Sequence, residues 1–110
     1  MLSASLTHKL KFNEQGLIPV VVQDATTLQV LMHAWMNADT LAETLRSKRM
    51  CYWSRSRQAF WRKGDTSGHS QTLVLLSVDC DGDTLLALVN QTGPACHTGA
   101  ISCFFEEITL

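Results

Sequence analysis

Three cysteines and a histidine toward the end of the chain form a pattern that suits metal binding. They are Cys80, Cys96, His97 and Cys103. A soft ion such as zinc prefers thiolate and imidazole ligands, and three protein ligands with an open fourth position are typical of catalytic zinc. His97 is therefore interpreted as either a fourth ligand or an acid–base group. The alternative is that Cys80 and Cys103 are small core residues, because free cysteines are often buried.

Acidic residues surround the first of these cysteines, at Asp79, Asp81 and Asp83. Residues two apart on an extended strand share a face, so we expect Asp79 and Asp81 to face one way and Cys80 the other. Carboxylate oxygens suit Mg²⁺ or Ca²⁺. The segment therefore predicts a second, harder cation, with the three aspartates as its ligands.

A plain hairpin turn is the rival explanation of this segment, because Asp81-Gly82 is a strong turn signal. It leaves Asp79 and Asp83 unexplained, since like charges this close repel each other without a cation. A hairpin would also return the chain to its start and bring Cys80 near the loop of the next cysteine. An EF-hand is excluded, because the positions that need Gly and Glu hold other residues.

A segment rich in cations, hydroxyls and glycines, with two indoles, suits a phosphate-containing ligand. Arginine offers paired donors, hydroxyls and glycine N–H groups add more, and tryptophan stacks on bases. The segment is not a Walker A loop, and a solvated polar loop with core tryptophans is the alternative. The candidate substrate-binding residues are Trp53, Ser54, Arg55, Ser56, Arg57, Trp61, Lys63, Thr66, Ser67 and His69.

The composition places these groups in one ordinary globular domain over residues 1–110. Hydrophobic residues make up 45% and charged residues 17% of the chain, with a formal net charge of −1. This charge gives no reason to expect nucleic acid or a membrane as a partner. The N-terminus lacks the pattern of a signal peptide, so we expect a cytoplasmic protein whose cysteines stay reduced. Cys51 is interpreted as a packing residue.

The elements that must position these residues are mostly strands. Apolar and β-branched runs predict strands at 17–23, 28–35, 50–54, 71–78, 84–90 and 102–108, with a turn at 24–27. Asn37 or Asp39 caps a helix that runs to about Lys48, with Leu41, Ala42 and Leu45 on its apolar face. Residues 55–70 are expected to form a loop. The predicted fold class is α+β, a β-rich single domain with one main helix.

Several long motifs together resemble the phosphoribosyl-AMP cyclohydrolase family of histidine biosynthesis. They are GLIPV at 16–20, YWSRSR at 52–57, WRKGDTSGH at 61–69, DCDGD at 79–83, GPACHTG at 93–99 and SCF at 102–104. They follow one another in the family's order and cover residues 12–107. The metal positions show no departure from the family's pattern.

This resemblance implies a reaction and an assembly. The substrate would be 1-(5-phosphoribosyl)-AMP, whose adenine ring water opens at N1–C6 to give the formimino aminoimidazole carboxamide ribonucleotide. The resemblance also implies an intertwined homodimer with a shared zinc site, in which one subunit supplies Cys80 and the other supplies Cys96 and Cys103. Asp79, Asp81 and Asp83 match the family's magnesium ligands. The form expected is monofunctional, without the pyrophosphohydrolase domain fused in some relatives.

The chemistry of the residues agrees with that reaction. Zinc makes water nucleophilic at neutral pH, and His97 is the candidate for moving a proton to N1. A cationic segment in a chain without global positive charge suits a substrate with two phosphates. The competing classes are a non-catalytic nucleotide-binding or structural zinc module, and a zinc deaminase acting on a free base. The deaminase signature H-x-E…P-C-x-x-C is absent.

Overall fold

Six strands and one helix make up the regular structure of residues 9–110, which are the residues that the computed structural model describes. The N-terminal segment, in which the sequence shows no signal-peptide pattern, consists mostly of residues 1–8. These residues lie outside the described part of the chain. The elements are β1 (Ile18–Asp24), β2 (Val30–Met36), α1 (Ala38–Ser47), β3 (Cys51–Ser54), β4 (Ala59–Arg62), β5 (Gln71–Val78) and β6 (Leu85–Gln91). The predicted α+β class with one main helix is confirmed.

The strands form a four-stranded sheet and a separate hairpin. The sheet has the order β2-β1-β6-β5, and β3 pairs with β4 in the hairpin. β1 is antiparallel to β2 and parallel to β6, and β5 is antiparallel to β6. β6 is therefore an inner strand, and the loops at its two ends carry the candidate metal ligands.

Alternation of side chains along the inner strands builds the core. Ile18, Val20 and Val22 of β1 are fully buried, whereas the residues between them are partly exposed. Leu85, Ala87 and Val89 repeat this pattern on β6. A period of two puts alternate side chains on one face of a sheet, so one face of the sheet faces the core.

The helix begins where the sequence predicts, at the Asn37 cap. The Asn37 side chain accepts a hydrogen bond from the Thr40 N–H at 2.8 Å, and the Thr40 hydroxyl accepts one from the Asn37 N–H at 2.9 Å. This reciprocal pair is a capping box. The helix ends at Lys48, which has a left-handed φ of 64°. No helix in the described part of the chain is long and apolar enough to cross a membrane.

Two predictions of secondary structure are wrong. Residues 55–70 are not one loop, because Ala59–Arg62 forms β4 and pairs with β3. The hairpin closes through Gln58, whose φ of 51° is a conformation that glycine usually supplies. Residues 102–108 form no strand. Cys103 donates one backbone hydrogen bond to Leu31 at the edge of β2, and the chain then continues without regular structure.

A buried hydrogen-bond network joins the hairpin to the sheet. The Tyr52 hydroxyl on β3 donates to the side-chain oxygen Oε1 of Gln71, and the side-chain Nε2 of Gln71 donates to Gln91 Oε1 at 2.7 Å. Tyr52 and Gln71 are fully buried. Because breaking a buried hydrogen bond leaves a costly unpaired group, this network fixes the hairpin against the start of β5 and the end of β6.

Candidate metal and substrate site

Cys96 and Cys103 lie side by side in the loop that follows β6. A tight turn holds the first, with the Cys96 N–H donating to the Ala100 carbonyl at 3.1 Å. The edge of β2 holds the second, with the Cys103 N–H donating to the Leu31 carbonyl at 2.7 Å. The two thiols lie close enough that each affects the pKa of the other. The fold of this chain therefore brings two of the three predicted zinc ligands together.

The surroundings make the two thiols unequal. Hydrogen bonds from Thr98, including its hydroxyl at 3.1 Å from the Cys96 sulfur, lower the pKa of Cys96. Burial and the neighbouring Cys96 raise the pKa of Cys103. Cys96 is therefore the first of the pair to become a thiolate, which is the form that binds metals.

Lys63, at the end of the hairpin, reaches into this cysteine loop. Its Nζ donates to the Ala95 carbonyl at 2.5 Å and lies 5.8 Å from the centroid of the Trp61 ring. Burial lowers the pKa of the Lys63 ammonium, while Cys103 and Cys96 act in the opposite direction. Lys63 was predicted to bind substrate, and its side chain lies beside the cysteine pair.

Cys80 does not join the pair within one subunit. It is exposed in the turn between β5 and β6, and its thiol donates to the Asp81 carboxylate at 2.9 Å. No three His, Cys, Asp or Glu side chains among residues 9–110 form a group that could hold a metal. The expectation that the hairpin brings Cys80 back to the Cys96 loop is wrong. β6 runs from one end of the sheet to the other, and seven residues span roughly 23 Å.

The aspartates lie in a turn instead of an extended strand, so the expected alternation of Asp79 and Asp81 with Cys80 is absent. The Asp79 Oδ1 accepts N–H groups of Gly82 at 3.0 Å and of Asp83 at 3.1 Å. Interaction with the Asp79 carboxyl group, which acts as the acceptor, is the main cause that raises the pKa of Asp83. The turn therefore explains Asp79 in part, but it also brings two carboxyl groups into contact.

The predicted substrate-binding residues divide between two cavities on the β3–β4 hairpin. One cavity, of about 340 Å³, is lined by Arg57, Phe60, Trp61, Arg62, Lys63, Gly64, Asp65, Thr66 and Ser67. The other, of about 320 Å³, is lined by Gln15, Leu17, Trp53, Arg55 and Gln58. Ser54 and Ser56 lie between them, with hydroxyls 3.4 Å apart. Each cavity contains at least one arginine.

Three residues that the sequence analysis missed support these groups. Thr98 donates to Cys96, and its position two residues after the cysteine is the only signal in the sequence. Glu43 on α1 binds Arg62 at 2.6 Å, and no local pattern links these two positions. Trp35 lies 4.5 Å from the Arg55 guanidinium, an aromatic at the end of β2 that the apolar pattern assigned to packing.

His69 and the cysteine loop touch at Gly93. The Thr92 N–H donates to the Ser70 carbonyl at 3.0 Å, which brings the two segments together. Gly93 has a φ of +69°, and a Cβ there would lie 2.6 Å from His69 Cδ2. His97 is exposed directly after Cys96. The loops after β4 and β6 therefore form one surface, which carries the cysteine pair, Lys63, His69 and His97.

Comparisons with known proteins identify the family to which the chain is similar. Residues 32–105 match the family model for phosphoribosyl-AMP cyclohydrolase. The phosphoribosyl-AMP cyclohydrolase of Roseobacter denitrificans is 65% identical over 101 residues, which are 92% of this chain and 79% of that protein. That of Acidiphilium cryptum is 61% identical over 108 residues, or 94% of this chain and 93% of the relative. The family match includes the hairpin, the aspartate turn and all three candidate zinc ligands.

Replacing Gly93 with alanine should displace the His69 ring. The new methyl group would overlap the ring, and overpacking of this kind costs roughly 1–3 kcal/mol. Gly16→Ala is the matched control, because Gly16 has a similar φ of +76° and open space around it. Urea unfolding should show a larger loss for Gly93→Ala, and the His69 ring signals should shift in its NMR spectrum. Equal losses with an unmoved His69 would contradict the contact.

Proposed function

The chain belongs to the phosphoribosyl-AMP cyclohydrolase family, and on this premise we propose that it is a metal-dependent hydrolase of histidine biosynthesis. It opens the adenine ring of 1-(5-phosphoribosyl)-AMP at the N1–C6 bond. The single observation that carries the proposal is the Cys96–Cys103 thiol pair, which lies on the same surface as a cationic hairpin. Thiols suit a soft metal, and the cations suit the phosphates of a nucleotide.

Zinc fits the donor set. Two adjacent thiols, one with a lowered pKa, are the ligands that zinc prefers. The proposed ligands are Cys96 and Cys103 of one subunit with Cys80 of the partner subunit. When bound there, zinc would supply Lewis-acid activation of water for attack at C6.

The remaining steps belong to the protein's own side chains. The oxygen of water adds to C6, the N1–C6 bond breaks, and N1 takes a proton. His97 is the proposed donor, because its exposed imidazole follows Cys96 directly and imidazole is the side chain that most often transfers protons in enzymes. A water-derived proton therefore ends on N1, and the oxygen ends in the carboxamide of the product.

A structural zinc module is the competing function. Such sites are closed by four protein ligands, and His97 is the nearest residue in sequence to complete one. Within residues 9–110, His97 forms no three-ligand group with Cys96 and Cys103. The described residues of one chain therefore supply no closed four-ligand site, and the catalytic site stays the proposal.

Magnesium is the proposed second cation, with Asp79, Asp81 and Asp83 as candidate ligands, although their side chains do not form a three-ligand group in the described residues of the single chain. The neighbouring Asp79 carboxyl group raises the pKa of Asp83, because two carboxylates this close repel each other unless a proton or a cation lies between them. Oxygen-only ligands suit magnesium. The cation would offset the charge of the substrate's phosphates near the exposed turn.

A homodimer is the proposed assembly, because each subunit alone separates Cys80 from the thiol pair. Exposed apolar side chains offer surface for a second copy. Val74 and Leu75 on β5 are 54% and 55% exposed, and Phe104 and Phe105 in the C-terminal segment are 64% and 58% exposed. In a two-fold dimer each subunit gives and receives the same contacts, so two shared sites would form.

Replacing Cys96 with alanine should remove zinc and ring-opening activity together. Cys51→Ala is the control, since Cys51 is buried on β3 outside the proposed site and should leave zinc content unchanged. Metal analysis of the purified proteins and an assay on phosphoribosyl-AMP provide the two measurements. Full activity in a zinc-free Cys96→Ala protein would rule out the zinc mechanism.

Mixing two inactive variants tests the shared site. Cys80→Ala and Cys96→Ala chains, co-expressed, should form mixed dimers in which one of the two sites keeps all three cysteines. Random pairing makes half of the dimers mixed, so about a quarter of the wild-type activity should return. Each variant alone should be inactive. If co-expression restores nothing although mixed dimers form, the site lies within one subunit.

Asp81→Asn should weaken the magnesium dependence of the reaction while leaving zinc content mostly intact. The substitution removes one negative charge from the turn and none from the cysteine pair. Activity measured against magnesium concentration should shift to higher concentration, whereas metal analysis should give wild-type zinc. Equal loss of both metals would mean that the two sites are not separate.

A further inference from the structure

Lys63 lines a cavity together with Arg57 and Arg62. Its ammonium group, however, contacts the backbone of the cysteine loop. Its Nζ donates to the Ala95 carbonyl at 2.5 Å. Ala95 is only 2% exposed and directly precedes Cys96. An ammonium group has three donors, and the carbonyl uses one. The contact between the Lys63 ammonium and the Ala95 carbonyl therefore fixes the backbone of the loop that carries the thiol pair.

Partial burial of this cation requires compensation. Moving an ammonium out of water is unfavourable unless opposite charge lies nearby. Among the described residues, Lys63 forms no salt bridge with a carboxylate, and the acidic groups that raise its pKa are the thiols of Cys103 and Cys96. The charge of Lys63 is thus complementary to the thiol pair.

With zinc bound, the net charge of the site would explain why the Lys63 ammonium lies beside it. Three thiolates around a doubly charged zinc ion carry one negative charge in excess. In a partly buried site that excess is poorly screened by water. The Lys63 ammonium would neutralise it without becoming a ligand, since lysine has no lone pair while protonated.

We propose that Lys63 is a positioning residue of the cysteine site. Its ammonium anchors the Cys96 loop through the Ala95 carbonyl and balances the charge of the thiolates. The role in metal binding rests on the proposed function, whereas the anchoring of the loop does not. Phosphate binding, which the sequence pattern suggests for Lys63, is the alternative that the experiment must separate from it.

Lys63→Met tests the anchor and the charge together, because methionine keeps much of the side chain's length without donor or charge. Replacing an outer partner of a metal site typically lowers metal affinity 10- to 100-fold. We expect zinc affinity, measured by competition with a chelator, to fall by roughly that factor. Amide exchange at residues 95–100 should also become faster in the metal-free protein. Lys48→Met is the control, since it removes the same charge from an exposed position.

Lys63→Arg and steady-state kinetics complete the test. Arginine keeps the positive charge and a donor, so it should recover part of the zinc affinity that methionine loses. In zinc-saturated protein, Lys63→Met should lower kcat more than it raises KM. Unchanged zinc affinity with a raised KM would overturn the proposal and identify Lys63 as a phosphate ligand. Equal zinc affinity in the methionine and arginine variants would overturn the charge role.

The amide-exchange comparison needs neither zinc nor substrate. Faster exchange of the loop in Lys63→Met would therefore support the anchor even if the wild-type chain failed to open the adenine ring. Unchanged exchange would overturn the anchor even if the ring-opening activity were found. The two proposals thus fail in different measurements.

Discussion

β6 is the strand on which the arrangement of the site depends. It pairs with β1 on one side and β5 on the other, and Leu85, Ala87 and Val89 bury its inner face. Its position is therefore fixed by two ladders and the core. The aspartate turn precedes it and the cysteine loop follows it, so the two groups of candidate metal ligands lie at opposite ends of the sheet. The proposed homodimer follows from this separation, because a second copy could place its Cys80 beside the cysteine pair without unfolding the sheet.

At the end of β6 the site is built from two loops that support each other. The Tyr52–Gln71–Gln91 network fixes the strands beneath them. Above it, the contact of Lys63 with Ala95 and the close approach of Gly93 to His69 join the loops directly. A site held by strands and buried hydrogen bonds is more precise than one on free loops. This support explains how residues far apart in the sequence share one surface.

Local patterns in the sequence were sufficient for most of the elements. Alternating or apolar runs located β1, β2, β5 and β6, and Asn37 marked the start of α1. β4 was missed because Gln58, and not glycine, takes the left-handed turn residue of its hairpin. The parallel pairing of β1 with β6 joins strands more than fifty residues apart, and no local pattern encodes it. The length of β6 separates Cys80 from Cys96, so the placement of the candidate ligands in the fold could not be read from local patterns, and their chemistry stays a prediction from residue types.

The same distinction applies to the cations of the hairpin. The composition counts Arg55, Arg57, Arg62 and Lys63 together as a phosphate-binding set. Arg62 is paired with Glu43 at 2.6 Å, and Lys63 is directed toward the cysteine loop. Arg55 and Arg57 remain exposed, and each lines a different cavity. Composition alone cannot separate these roles, because they depend on contacts with α1 and with the cysteine loop, which lie far from the hairpin in the sequence.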